Sequence, residues 1–179
     1  MPKNLELKIE MSDFDFVIKT LNSIGAEYRG VLKQKDIYYK NPNGLLKLRV
    51  MPSRSELIFY NRNEKTGDRW SDYKVLKIET AEEPEKFFNN VLEPEITVEK
   101  ARTLFLYKNT RIHLDEVKNL GKFLELETIV EQSLDDAKER FDFLVEKLRL
   151  DLTRQIRKSY KNLLEEKQRF KQATNNYLQ

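Results

Sequence analysis

The sequence predicts an α+β domain built on about eight antiparallel strands. Three observations carry that reading. Apolar residues alternate with polar or charged ones in segment after segment. Four other stretches place apolar residues at helical spacing. Turn-forming residues punctuate the strand-like segments. There is no linker rich in Gly, Pro or Ser and no internal repeat, so residues 1–179 read as a single domain.

The elements follow in order. Asn4 to Glu10 alternates strictly, with Leu5, Leu7 and Ile9 on one face and Glu6, Lys8 and Glu10 on the other. A helix follows, capped by Ser12 with Asp15 three residues on. Phe14, Val17, Ile18, Leu21 and Ile24 form its apolar stripe, and Gly25 ends it. Strands are predicted near 28–40, 45–51, 56–62 and 72–80, with Asn43-Gly44 as a hairpin signal. A short helix over 83–92 carries Phe87, Phe88, Val91 and Leu92. Strands near 95–107, 110–117 and 122–130 are separated by Asn109 and by Leu120-Gly121. Ser133 caps a helix with Leu134, Ala137, Phe141, Leu144, Val145 and Leu148 on one face. A final helix starts near 153 with Ile156, Tyr160, Leu163, Leu164 and Phe170, and the polar end from Gln172 to Gln179 is expected to fray. The helix stripes with Phe14, Phe141 and Phe170 are read as core.

Composition removes several classes. Thirty-three Lys and Arg stand against 30 Asp and Glu, a net charge of +3, and charged residues make up 35% of the chain. The near balance excludes a polybasic arm or an acidic tail as the main device. Aromatics at 11%, together with the periodicity, argue against disorder. With no Cys, there is no disulfide framework, thiolate metal site or Cys nucleophile. One His leaves little room for a His-based metal cluster. No apolar run approaches the length of a membrane helix, and no signal-like segment opens the chain, so a soluble cytoplasmic protein without a membrane partner is expected.

The charges are the informative feature. Lys47 and Arg49 share a strand face, as do Tyr60 and Arg62, and Lys100 and Arg102. Arg111, His113 and Asp115 alternate with Ile112 and Leu114, and Glu125 and Glu127 with Leu124 and Leu126. In an open sheet the charged face would meet water. In a closed barrel it would line the interior, at a high cost unless a ligand or metal completes the pairing. A polyanion on the cations and a divalent ion on the carboxylates would offset that cost. Oxygen donors select Mg²⁺ or Mn²⁺ over zinc, and Glu6, Asp115, Glu125 and Glu127 are the candidate metal ligands.

Several segments together resemble a known family. They are NLELK (Asn4 to Lys8), QKDIYY (Gln34 to Tyr39), GLLKLR (Gly44 to Arg49), LIFYNR (Leu57 to Arg62), VEKARTLF (Val98 to Phe105), TRIHLDEV (Thr110 to Val117) and LGKFLELE (Leu120 to Glu127). Their order is similar to the CYTH superfamily, the triphosphate tunnel metalloenzymes, over residues 1 to 165. SDY (Ser71 to Tyr73) and SYKNLL (Ser159 to Leu164) look most like its class IV adenylate cyclase branch. The resemblance implies an eight-stranded antiparallel β-barrel tunnel with helices packed on the outside. It implies triphosphate binding by Lys8, Lys47, Arg49, Arg62, Lys100, Arg102 and Arg111. It places Glu6, Lys8 and Glu127 in catalysis, and Glu6, Asp115, Glu125 and Glu127 around one or two divalent ions. The family's first-strand signature, E-x-E-x-K, reads Asn4-Leu5-Glu6-Leu7-Lys8 here, with Asn at a metal-side position.

The activity implied is a metal-dependent reaction on a triphosphate. Adenylate cyclase action, ATP to cyclic AMP and pyrophosphate, stands first. Hydrolysis of inorganic triphosphate, thiamine triphosphate or a nucleotide is the alternative, and polyphosphate or nucleotide binding without turnover is a second one. A nucleic-acid partner is disfavoured, because acidic residues share the faces of the basic ones. Pairing of two copies would fit the family. His113 is expected to be a hydrogen-bonded strand residue rather than a base. Trp70 and Tyr73 could stack on an adenine or pack in the core, and Asp36 and Tyr38, which share a face, are expected to take a support or a substrate-edge role. Either Lys74 or Lys77 could supply a further tunnel cation.

Overall fold

The computed structural model describes residues 3–62, 71–80, 83–130 and 133–177. In chain order these form β1 (Lys3–Met11), α1 (Asp15–Ser23), β2 (Glu27–Tyr39), β3 (Leu45–Val50), β4 (Ser55–Arg62), β5 (Ser71–Ile78), α2 (Glu83–Val91), β6 (Pro94–Tyr107), β7 (Thr110–Val117), β8 (Gly121–Val130), α3 (Leu134–Lys147) and α4 (Tyr160–Tyr177), with a 3-10 turn at Leu152–Arg154. The eight strands hydrogen-bond in the order β1-β8-β7-β6-β2-β3-β4-β5. The pairs β1–β8, β2–β3, β3–β4, β4–β5 and β7–β8 are antiparallel. The expected class, α+β on eight antiparallel strands, is therefore present.

Two compact units divide the chain. The first holds residues 1–32 and 101–157, the second 33–100 and 158–179. In the first unit, the apolar positions of β1, β7 and β8 share one face by strand alternation. Leu7, Ile9, Ile112, Leu114, Leu124 and Leu126 are buried there with Phe14, Val17 and Leu21 of α1 and Leu144 of α3. In the second unit, Ile37, Tyr39 and Leu48 form a smaller buried cluster, with Leu46, Leu57 and Phe88 packed against it. Tyr39 Oη fixes α2 by donating to Asn89 Oδ1 at 2.8 Å.

Local chemistry explains most boundaries and a few departures. Ser133 caps α3, accepting from Asp136 N at 3.1 Å, as its position predicts. Ser12 does not cap α1. Asp13 Oδ1 accepts from Asp15 N at 3.1 Å, and Ser12 Oγ donates to the other Asp13 oxygen. Gly25 (φ 76°) ends α1, and Ala26 N closes back to Leu21 O at 2.9 Å. Leu134, Phe87, Val91 and Phe170 are exposed, Phe170 at 77%, so they lie off the buried stripes. Residues 172–177 continue α4 as helix.

The last helix begins at Tyr160, seven residues later than the apolar pattern predicts. Asp151 takes hydrogen bonds from Thr153 N (2.9 Å) and Oγ1 (2.6 Å) and closes the 3-10 turn instead. The chain then runs along β1. Arg154 Nη2 donates to Glu10 O, Gln155 Nε2 to Glu6 O, and Ile156 N to Lys8 O at 2.8 Å. Helix resumes where Ser159 Oγ accepts from Asn162 N at 3.2 Å.

Leu144 on the inner face of α3 is fully buried. Leu144→Ala should cost about 2–5 kcal/mol in urea unfolding, with an unchanged denaturant slope.

Candidate functional site

Strand alternation puts the charged positions on the face opposite each apolar cluster, and five of them are withdrawn from solvent, while Glu6 and Arg111 are exposed. Lys8, Lys47 and Lys100 are each 8% exposed, Asp36 1% and Asp115 0%. Long Lys side chains reach water whenever they can, so burial on this scale means they are held by partners. The solvated-face reading fails for these positions. Each unit carries its own cluster.

In the first unit, β8 sits between β1 and β7, and the register lines up charge with charge. Glu125 lies opposite Lys8 on β1 and His113 on β7. Glu127 lies opposite Glu6 and Arg111. Lys8 Nζ stands 3.1 Å from Glu125 Oε1. Arg102 on β6 grips Asp115 with a two-nitrogen fork, Nε at 2.7 Å and Nη2 at 2.6 Å. The same Nη2 donates to Glu125 Oε2 at 2.6 Å, so one guanidinium ties β6, β7 and β8 together. Glu127 accepts from Asn4 Nδ2 at 2.9 Å on one oxygen and Arg111 Nη1 at 3.2 Å on the other. Glu6 is exposed.

His113 is buried, and among the described residues its Nδ1 has no hydrogen-bond partner. The nearest carboxylate oxygen, Glu125 Oε2, is 3.8 Å away. The expected hydrogen bond is absent at that nitrogen. Burial pushes the imidazole's pKa down, against the opposing pull of Glu125.

In the second unit, three cations meet on one carboxylate. Asp36 on β2 lies opposite Arg49 on β3, and Tyr38 opposite Lys47. Arg49 donates to Asp36 from Nε (2.7 Å) and Nη2 (2.9 Å), Lys47 Nζ from 2.9 Å, and Lys100 Nζ stands 3.7 Å away. Burial alone would raise the Asp36 pKa. Lys47, then Lys100 and Arg49, override it and hold the carboxyl well below the ordinary range. Aromatic faces complete the setting: Lys47 lies 5.4 Å from the Tyr38 ring centre and Lys100 5.3 Å from Tyr160.

Sequence reading missed Lys161. It sits in the first turn of α4, 2.7 Å from Glu95 and 5.8 Å from the Tyr38 ring centre. A signal was present, since a Lys just after a Ser cap opposes the helix dipole and needs another reason to be there. Lys74 and Lys77 are both exposed. The side chains of Arg62, Tyr60 and Tyr73 lie outside the described residues, as does all of Trp70.

Glu6, Asp115, Glu125 and Glu127 offer oxygen donors of the type a hard divalent ion takes. Their arrangement does not fit one. Asp115, Glu125 and Glu127 have both oxygens engaged by donors of the chain itself. Among the described residues, no three Asp, Glu or His side chains form a group that could hold a metal ion.

The model of the CYTH domain family matches residues 2–160. The chain belongs to the CYTH family. CYTH proteins act on triphosphates and depend in general on a metal ion. Solved structures show the same fold. A Pyrococcus horikoshii OT3 protein, PH1012, is 20% identical, with a TM-score of 0.74, covering 88% of this chain and 96% of its own. A "putative adenylate cyclase" from Vibrio parahaemolyticus is 20% identical, at 0.71, covering 91% and 98%. A "putative adenylyl cyclase" from Hippeastrum, which has a dominant triphosphatase activity, is 9% identical, at 0.68, covering 93% and 96%. At these identities the likeness establishes the fold alone. No curated protein matches the chain. Among the described residues, no helix is long and apolar enough to cross a membrane.

Two predictions follow from the pairing. Arg102→Lys keeps the charge but loses the fork, and should cost about 2 kcal/mol in denaturant unfolding. Asp36 is depressed in the folded state, so its contribution is present above the unfolded value of about 3.9 and lost as pH falls below it. Urea midpoints measured from pH 7 down to 3 should show that acid-side loss, and Asp36→Asn should flatten it.

Proposed function

We propose that the chain is a triphosphate-converting enzyme of the class IV adenylate cyclase type, forming cyclic AMP and pyrophosphate from ATP. One observation carries the reading: buried Lys47 and Lys100 and half-buried Arg49 converge within 4 Å of Asp36. Buried, convergent cations of this kind suit a multiply charged phosphate chain, which repays their desolvation with charge-assisted bonds. The proposed binding residues are Lys8, Lys47, Arg49, Arg62, Lys100, Arg102 and Arg111, all within one domain spanning residues 1–179.

The chemistry asked of these residues is mostly electrostatic. Arg supplies paired donors to phosphate oxygens, and Lys a compact charge, against negative charge that shifts onto the leaving group. In cyclisation, the ribose 3′-oxygen attacks the α-phosphorus, the bond to the bridging oxygen breaks, and pyrophosphate leaves. Glu6 and Glu127 are the proposed carboxylates that orient the nucleophile, with Lys8 beside them. Mg²⁺ or Mn²⁺ is the proposed cofactor on the strength of the CYTH family's general metal dependence, since Asp115, Glu125 and Glu127 as they stand are engaged by Lys, Arg and Asn donors of the chain. A cytoplasmic location and pairing of two copies belong to the same proposal. Hydrolysis of a triphosphate by the same groups is the alternative, kept because the Hippeastrum protein of this fold has that activity.

Incubating the protein with ATP and with inorganic triphosphate, each with Mg²⁺ or Mn²⁺, separates the readings by chromatography. Cyclic AMP with pyrophosphate is the expected product. Orthophosphate alone would replace the cyclase by a triphosphatase, and tight binding without turnover would leave a binding protein. Arg111→Ala and Glu127→Ala should each cut turnover by at least about tenfold with the circular dichroism spectrum unchanged. Full activity in both would sink the site assignment.

A further inference from the structure

Asp36 is the acidic side chain in immediate contact with Lys47, Arg49 and Lys100, three of the cations just assigned to the phosphate chain, and the proposed chemistry does not use it. It is withdrawn from solvent, and both its oxygens are engaged, Oδ1 by Arg49 Nε and Oδ2 by Arg49 Nη2 and Lys47 Nζ, with Lys100 Nζ next to Oδ2. Three positive charges face one negative charge there. Geometry explains why this residue in particular meets all three. Arg49 is its direct cross-strand partner and Lys47 the diagonal neighbour on the same face. The opposite face of the same strands is filled by Ile37 and Leu48, so Asp36 cannot turn away without entering an apolar cluster.

We propose that Asp36 is a positioning residue that stands in for the anion: it holds Lys47, Arg49 and Lys100 gathered before a polyphosphate arrives, at the expense of affinity once it has. The inference rests on the reading of these cations as phosphate-binding. A carboxylate within a few ångströms of three cations supplies the counter-charge they need while the protein is empty. It also repels the phosphate chain that later takes up the same cations. Because the surrounding cations keep it ionised, it serves this purpose across the ordinary pH range. Aromatic neighbours fit the same role, since the Tyr38 and Tyr160 faces add attraction to Lys47 and Lys100 without adding negative charge.

The stand-in role separates from a merely structural one by the sign of the ligand response. A structural aspartate, when replaced, weakens both the fold and the site. A stand-in weakens the empty protein and strengthens the response to anion. The experiment is thermal unfolding and calorimetric titration of the wild type and Asp36→Asn, without and with sodium tripolyphosphate. Asp36→Asn should melt lower without ligand. Tripolyphosphate should raise its melting temperature by more than it raises that of the wild type, and bind it at least about threefold more tightly, because an anion that binds the folded state restores the missing counter-charge. An equal or smaller rise, or equal or weaker binding, in Asp36→Asn overturns the proposal. If Asp36→Asn does not fold in plain buffer, folding when prepared in tripolyphosphate supports it, and failure in both overturns it. Absence of any tripolyphosphate effect on the wild type would instead overturn the phosphate-binding reading on which the proposal stands.

Discussion

Carrying a charged group into a place without water costs several kcal/mol, and the arrangement of Lys8, Lys47, Lys100, Asp36 and Asp115 follows from that cost. Lys8, Lys47, Asp36 and Asp115 each sit on a strand whose other face is committed to an apolar cluster under a helix. The strand period of two therefore fixes two things together. A one-residue slip of β8 against β1 would move Leu124 and Leu126 out of the core and Glu125 into it. Packing beneath α1 and α3 thus fixes the positions of Glu125 and Glu127 as firmly as any polar contact does. In the second unit, Ile37 and Leu48 do the same for Asp36, Lys47 and Arg49.

The two clusters meet the cost in different ways. Around Arg102, one forked cation serves two carboxylates on neighbouring strands, which makes a rigid, directional joint. Around Asp36, one carboxylate serves three cations, two of them Lys residues lying beside aromatic rings. Lys makes few geometric demands and can re-aim its ammonium group, whereas the Arg102 fork would have to exchange a carboxylate bond for any bond to a further anion. The first cluster is built to hold strands in register. The second, on the proposed reading, accepts another negatively charged partner.

Strand alternation made most of the fold legible from sequence, because period-two burial needs no knowledge of the partner strand. The paired positions at Lys47 and Arg49, Arg111 to Asp115, and Glu125 and Glu127 could be read for the same reason. Caps were legible where a side chain bonds its own helix, as at Ser133, and misread where a neighbour did the work, as Asp13 does beside Ser12. The start of α4 was hidden because Ile156 bonds β1, a contact far away in sequence. Phe170 was misassigned because helical spacing reports a stripe without reporting whether anything covers it. Lys161 was missed because its role depends on Glu95 and Tyr38, which only the folded chain brings near it.

The stretch from Arg154 to Ile156 does more than delay a helix. β1 ends the hydrogen-bonded strand order, and a terminal strand normally leaves a row of carbonyls ready to template another chain. Here the carbonyls of Glu6, Lys8 and Glu10 are already taken by the Gln155 and Arg154 side chains and the Ile156 amide. Alternate carbonyls along one side of the strand are sealed by the protein's own backbone and side chains. A second molecule seeking to extend the sheet at β1 would first have to peel that segment away. The same three bonds that anchor the strand carrying Lys8 therefore also guard it against edge-to-edge aggregation.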